Sequence, residues 1–480
     1  MNDSLKKKTM RALIWSGLER FGYQGIRALI TLVLARLLTP DDFGIIGILL
    51  VFIIIAEAII NNGFGQAVIQ KKDISEDDLT TAFLLSLVMS IILYFVIYLA
   101  SPTIALFYER TELISFNRVL ALVIVFDSLV VIQQAKFQRE MDFKSLSLIT
   151  IVSSLISGII GVILAFFEFG VWALIAQMLG QKMIMAAYLW IKSNWVPKGK
   201  LTKESLRHMF SYGWKLQVSG VLSQSFRHIN SLIIGKTFSV DLVGYYTQAK
   251  NLKDLPMVTL SSIINKVAFP VFSSIQDDKD RLKKGYKTSI KMLVFISFPL
   301  MIGLAATAEN LIPVLLGEQW EPSIKFFQLL CFAGMIYPMQ TSNINILKVT
   351  GRTDLYLKLE LFKKLVTISA IIISIRWGIY ALIIAQVISS YINLGINASF
   401  SGKLINYSLR EQVADCIPFF VMSLLMGIVV SILEMLLTDL AQVIVLLVQI
   451  ISGMTFYFVL CKMFRVKEIS ILLNLINKKE

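Results

Sequence analysis

A chain of 480 residues that is 56% hydrophobic and only 16% charged, with a mean hydropathy of +0.72, is too apolar for a water-soluble protein of its size. Its net charge of +14 does not require nucleic acid as a partner, because Lys and Arg gather in the cytoplasmic loops of membrane proteins. Three scattered cysteines, Cys331, Cys416 and Cys461, with no CxxC pair, argue against a disulfide framework and against a zinc site.

Apolar runs of about 20 residues, the length that crosses a hydrocarbon core of about 30 Å, recur from end to end. The expectation is an all-α, polytopic membrane protein of about fourteen transmembrane helices. The first run, 12–36, follows a basic start, "KKKTMRALIW", but carries Glu19, Arg20 and Arg27 and lacks a small-x-small cleavage site. It reads as a retained helix and not a signal peptide. Further runs cover 42–62, 79–100, 113–133, 146–167 and 171–191, then 209–235, 242–266, 288–308, 323–346, 356–375 and 378–400, and finally 413–434 and 440–461. Those at 209–235 and 242–266 are the least hydrophobic, and hydropathy alone could miss either.

The connecting segments alternate in charge. "NDSLKKKTMR", "AKFQREMDFK", "KSNWVPKGKLTKESLR" and "QDDKDRLKKGYK" are basic, whereas "LLTPDDF", "FEFG", "KTFSVD" and "EMLLTD" carry at most one cation each. The expected topology is therefore an even number of crossings with both termini in the cytoplasm. The stretch around 194–208, with Pro197, Gly199 and several lysines, reads as a cytoplasmic linker between two halves.

A short sentence is written twice. "RLLTPDDFGIIG" begins at Arg36 and "KTFSVDLVGYYT" at Lys236. Without a gap, Arg27 aligns with Arg227, Thr39 with Ser239, Asp41 with Asp241 and Gly44 with Gly244. A hydroxyl or carboxylate at such a turn can cap the following helix, and the glycine permits close helix packing. Any tight turn could attract these residues, but the Arg deep in the preceding helix favours duplication. Parallel repeats follow: a six-helix lobe at 1–193, a linker at 194–208, a second six-helix lobe at 209–402, and two additional helices with a tail at 403–480.

Ionisable groups at membrane depth cost about 2.5–3.5 kcal/mol on insertion scales, so they face a bundle interior or a wet cavity. Arg20 and Arg27 share a face of the first helix, Arg227 and His228 lie in the seventh, and Lys250, Lys253 and Asp254 lie in the eighth. Glu57 and Asp127 stand as isolated acids in the second and fourth helices. The cations Arg20, Arg27, Arg227, Lys250 and Lys253 are read as lining a central positive cavity suited to an anion such as phosphate. Internal neutralisation is the competing reading for Lys250 with Asp254 and for Glu19. Glu57 and Asp127 are the candidates for an ion-coupling site. No catalytic arrangement is apparent: the chain lacks a GxSxG elbow, a phosphate loop and any His/Cys/acid cluster that would bind metal.

"GIRALITLVLARLLTPDDFGIIGILLVFI", the "NNGFGQAVIQKKDISEDDLTTAF" that follows, "FQREMDFKSLS" and "KVTGRTDLYLKLELFKK" closely resemble bacterial polysaccharide flippases of the Wzx type. The similarity is to the colanic-acid and teichuronic-acid exporter branch, in the superfamily that also holds MATE drug exporters and the lipid II flippase. The resemblance runs from the first helix through about the twelfth. It implies two lobes forming a V and alternating access. It also implies translocation of an undecaprenyl-pyrophosphate-linked oligosaccharide across the inner membrane, among membrane lipids and beside a polysaccharide polymerase, with no enzymatic step and no cofactor. Basic residues on the first, seventh and eighth helices line the cavity of such proteins, and Arg27, Arg227, Lys250 and Lys253 occupy those helices here. A cation-coupled drug exporter on the same scaffold, or a membrane-embedded glycan polymerase or acyltransferase, are the alternatives. The first would favour an acidic cavity, and the second would need a larger loop than any present.

Overall fold

The structure, a computed structural model, describes residues 22–193 and 195–469. Every regular element among them is helical, and the described parts of the runs read from hydropathy lie largely in helices. Arg20 and Glu19 lie outside the described residues.

Contacts group the chain into two compact units, one ending at Gly244 and the other beginning at Tyr245. Unit 1 opens with α1 (22–37), which stops at a two-residue turn. Thr39 then caps α2 (Pro40–Ile60) in a capping box with Asp42, and Pro40 at the first position is already set to a helical φ. The capping expected of the repeated segment is thus met at Thr39, while Asp41 is left for another partner. At "NNGFG" the helix widens into a π segment (Asn61–Gly65) before one further turn, α3 (Gln66–Gln70). Such segments insert a residue without ending the helix and re-aim the side chains around them.

Ser75 and Asp78 form the capping box of α4 (Glu76–Tyr108), whose first turn also holds Glu76 and Asp77, signs that suit the helix dipole. α5 (Leu113–Leu120) and α6 (Leu122–Arg139) make one broken crossing. α7 (Phe143–Phe166) and α8 (Val171–Ser193) pack face to face through small residues. A Cβ on Gly158 would lie 2.1 Å from Ile30 Cδ1, and one on Gly161 would lie 2.8 Å from Gln177 Cβ, so α1, α7 and α8 approach closely there. A small core of Val130, Phe137, Leu146, Ile149, Met185 and Leu189 ties α6, α7 and α8 together.

The stretch read as a linker is a fastened strap. Trp195 Nε1 donates to Glu76 Oε1 at 2.8 Å, the Gly199 amide to Thr80 Oγ1 at 3.0 Å, and the Lys200 amide to Asp77 Oδ1 at 2.7 Å. Gly199 passes so close that a Cβ would sit 2.6 Å from the Glu76 carbonyl oxygen. Asp78 anchors the next helix, α9 (Lys203–Thr237), by accepting from Ser205 Oγ at 2.7 Å while pairing with Lys71 at 2.6 Å. α9 then runs along α2, α4 and the π segment. α10 (Val240–Ser274) begins in unit 1 and continues into unit 2.

The two copies of the repeated segment meet. A Cβ on Gly44 would lie 1.9 Å from the carbonyl oxygen of Val240, and a Cβ on Gly244 would lie 2.0 Å from that of Pro40. Val240 is the counterpart of Pro40, as Gly244 is of Gly44, so the contact is reciprocal.

Unit 2 continues with α11 (Lys279–Ala306), α12 (Ala308–Leu316), α13 (Ser323–Met335), α14 (Tyr337–Val349), α15 (Thr353–Ser374), α16 (Ile379–Leu404), α17 (Leu409–Leu436) and α18 (Gln442–Met463). The run at 323–346 breaks at Ile336, where Pro338 enters the first turn of α14. The loop expected after α11 instead contains α12, folded back so that Asn310 Nδ2 donates to Glu434 at 3.1 Å and to Gln449 at 3.2 Å. Along α11 and α17 a ladder of charges forms: Lys283 with Glu411 at 3.2 Å, then Lys287 and Lys291 with Asp415 at 2.8 and 3.1 Å.

Nine helical segments among the described residues are long and apolar enough to cross a membrane. α9 and α10 are not among them, as their low hydropathy foretold. Large apolar side chains cover the outer surface: Leu99 and Leu106 of α4 are 73% and 79% exposed. Only lipid makes such a surface stable, and the chain is a multi-pass membrane protein.

Candidate functional site

Three charged side chains of unit 1 converge from three helices. Glu57 ends the last full turn but one of α2, Asp127 stands in the middle of α6, and Lys182 stands in the middle of α8. Lys182 Nζ is 3.1 Å from Glu57 Oε1 and also forms an ion pair with Asp127 Oδ1. The other oxygen of Asp127 accepts from Asn61 Nδ2 at 2.7 Å, and Asn61 is the first residue of the π segment. Asp127 is only 2% exposed. On α1, the Tyr23 hydroxyl accepts from Gln181 Nε2 at 3.2 Å, and Arg27 is exposed one turn further on.

The acids that the sequence presents as isolated are therefore joined, and the group that joins them, Lys182, escaped the sequence reading. The signal was there: "QMLGQKMIMAAYLW" places a lysine mid-helix between apolar residues, in the span with the lowest mean hydropathy of the nine, 1.2. Lys182 places one ammonium between the two carboxylates. Such a network can hold α2, α6 and α8 in one arrangement, and it offers polar partners inside a bundle whose outer faces are apolar.

The other sequence candidates are placed elsewhere. Arg227 is exposed on α9, eight residues, or about 12 Å, before Gly235, where α9 meets Ile48 of α2. Lys250 is half-buried on α10. Lys253 is 9% exposed and pairs with its neighbour Asp254 at 2.5 Å, while its methylenes press on α13, where a Cβ on Gly334 would lie 2.8 Å from Lys253 Cδ. Asp254, the partner offered to Lys250 in the competing reading, is thus paired with Lys253. No cluster of three or more His, Cys, Asp or Glu able to hold a metal ion occurs among the described residues.

A second charged group closes the Thr39 end of unit 1. Arg110 reaches Asp41 at 2.7 Å and Glu112 at 3.0 Å. The Glu112 carboxyl is held below its ordinary range by a hydrogen bond to its own backbone N–H, with burial opposing and Arg110 reinforcing.

Comparison with known proteins bears on the fold and the family. Teichuronic acid biosynthesis protein TuaB of Bacillus subtilis (strain 168) is 25% identical over 441 residues, which is 89% of each chain. Lipopolysaccharide biosynthesis protein WzxC of Escherichia coli (strain K12) is 25% identical over 374 residues, 77% of this chain and 76% of that one. Among solved structures, the lipid II flippase MurJ in an inward closed conformation superposes with a TM-score of 0.77 at 16% identity, covering 95% of this chain and all of that one. The fold is that of this transporter group. A family model described as "Polysaccharide biosynthesis protein" matches residues 33–325, well over half of the sequence, and the chain belongs to that family.

Proposed function

We propose that this protein is a flippase that turns undecaprenyl-pyrophosphate-linked oligosaccharide repeat units from the cytoplasmic to the outer leaflet of the bacterial inner membrane by alternating access. The observation that carries the reading is the polar interior of unit 1. Charged and amide side chains from α2, the π segment, α6 and α8 meet inside a bundle of otherwise lipid-compatible helices, in a chain related along most of its length to polysaccharide-biosynthesis membrane proteins. A glycan crossing hydrocarbon unaided would leave each unsatisfied polar group at a cost of several kcal/mol, and a polar-lined route removes that cost.

In this reading Arg27 and Arg227 engage the pyrophosphate, since a guanidinium presents a fork that matches phosphate oxygens. Arg20, Lys250 and Lys253 are further cargo-binding cations, with Lys253 able to act only after exchanging Asp254 for the anion. The prenyl chain remains in lipid. Both termini lie in the cytoplasm, with the strap on that side and the Thr39 turn on the other. The product is handed to a polymerase. Ion coupling at Glu57 and Asp127 would require Lys182 to leave them first. The same pairing weighs against a cation-coupled drug exporter, whose acids must be open to the cationic drug.

The test is polymer export in a deletion strain complemented with Arg27→Ala or Arg227→Ala. Each variant is expected to reach the membrane near the wild-type amount, to lose export, and to accumulate lipid-linked repeat units. Wild-type export from both variants defeats the proposed anion-binding role.

A further inference from the structure

The network in unit 1 has the layout of a cation site whose cation belongs to the chain. Two carboxylates on different helices, Glu57 and Asp127, share one ammonium, that of Lys182, and Asn61 occupies the remaining oxygen of Asp127. At membrane depth, two carboxylates this close cannot both stay ionised without positive charge between them. That charge can be a proton, a dissolved monovalent cation or a tethered ammonium, and here it is the third. The bridge spans α2, α6 and α8 and is not an i,i+4 pair on one helix, so it fixes a tertiary arrangement. The π segment begins at Asn61, which brings its amide onto Asp127. Apolar side chains would join these helices at least as well, since a buried ion pair is weak evidence for stability.

We propose that Lys182 is a tethered counter-cation, a positioning residue that keeps Glu57 and Asp127 in their bridged geometry and relieves unit 1 of any need for a dissolved monovalent cation at this place. The titratable groups that face it are Glu57 on α2 and Asp127 on α6, while Tyr23 of α1 lies against the adjacent Gln181. Removing the side chain beyond Cβ leaves a space lined by two carboxylates and an amide, polar enough to admit water and a small cation. Lys182→Ala is therefore a gain-of-dependence variant. The inference stands on the geometry of unit 1 and not on the nature of the cargo.

The experiment is thermal unfolding of the full chain in detergent, followed by tryptophan fluorescence in chloride salts of sodium, potassium, lithium or choline at constant ionic strength. The wild type is expected to melt at the same temperature in all four. Lys182→Ala should melt lower in choline and regain about 2–4 °C or more in one of the small cations, or on lowering the pH from 8 to 6. The double variant Asp127→Asn/Lys182→Ala, with one carboxylate removed, should lose that response. A folded Lys182→Ala that melts alike in every salt and at both pH values overturns the proposal, as does a wild type that responds to cations as strongly as the variant. Should Lys182→Ala fail to accumulate, the double variant decides. Its recovery supports unbalanced charge as the defect, and an equal failure overturns the proposal in favour of lost packing. Export assays run in parallel separate this result from the flippase reading, because the melting response does not depend on cargo.

Discussion

At the scale of single residues, hydropathy and charge located most of what matters in unit 1, with one omission. Glu57 and Asp127 stood out because each interrupts an apolar run, and the structure joins both to one lysine. Lys182 satisfied the same criterion and was hidden by its setting, since flanking glutamines make that helix look ordinary and polar. Pairing is the part that sequence could not supply: Glu57 and Asp127 are 70 residues apart, and only the packing of α2 and α6 on α8 reveals their common partner. Arg110 illustrates the opposite case, a loop residue of no evident interest that links Asp41 and Glu112. Both carboxylates are more than a third exposed, so Arg110→Ala is expected to cost no more than about 1 kcal/mol, read as a small fall in melting temperature. Its pH dependence has a definite sign. Glu112 titrates below its unfolded value, so its share of the stability is present above the ordinary carboxylate range and vanishes as the pH falls through the folded value. The gap between wild type and Arg110→Ala should therefore narrow below about pH 4.

At the scale of elements, helix beginnings were more legible than helix breaks. Thr39, Ser75 and Ser408 are each followed three residues later by an acid, and each starts a helix with a full capping box. The π segment, the break between α5 and α6, and the folded-back α12 were not readable, because each depends on tertiary partners for groups that a regular helix would satisfy by itself. The strap was misjudged for a related reason. Pro, Gly and Lys suggest a tether in solution, yet Gly199 serves to bring the backbone against Glu76, and the lysine contributes its amide. Gly199→Ala should accordingly lower stability by about 1–3 kcal/mol, the usual cost of overpacking, detectable as a reduced denaturation midpoint. The paired glycines are more demanding. Gly44→Val or Gly244→Val places atoms where a backbone carbonyl already stands, so each should reduce folded protein in the membrane markedly, as measured by detergent-extracted yield and monodispersity. A control change of similar size on a lipid-facing position, such as Leu99→Val, should leave both measures unchanged.

At the scale of the whole molecule, composition alone was enough for the class, and among the described residues the apolar runs lie largely in helices. The alternation of basic and non-basic connections predicts more, namely the sidedness. A cysteine introduced at Lys198 should react with an impermeant maleimide only in inverted vesicles, and one at Asp41 only in intact cells or spheroplasts. The native thiols offer little background, since Cys331, Cys416 and Cys461 are all buried. Labelling of both positions from one face would invert half of the topology. The seventh helix shows where sequence symmetry and compactness part company: α9 belongs to the second copy by its motif, yet packs on α2 and α4 and falls within the first unit.

The mutual seating of Gly44 and Gly244 bears on how much of the sequence the joint constrains. Each glycine presses on main-chain carbonyl atoms, which every amino acid carries, so the joint makes little demand on the side chain across it: Pro40 stands on one side and Val240 on the other. What the joint requires is a pair of missing methyl groups, one on each segment, and the letters opposite them can differ while the seam stays closed.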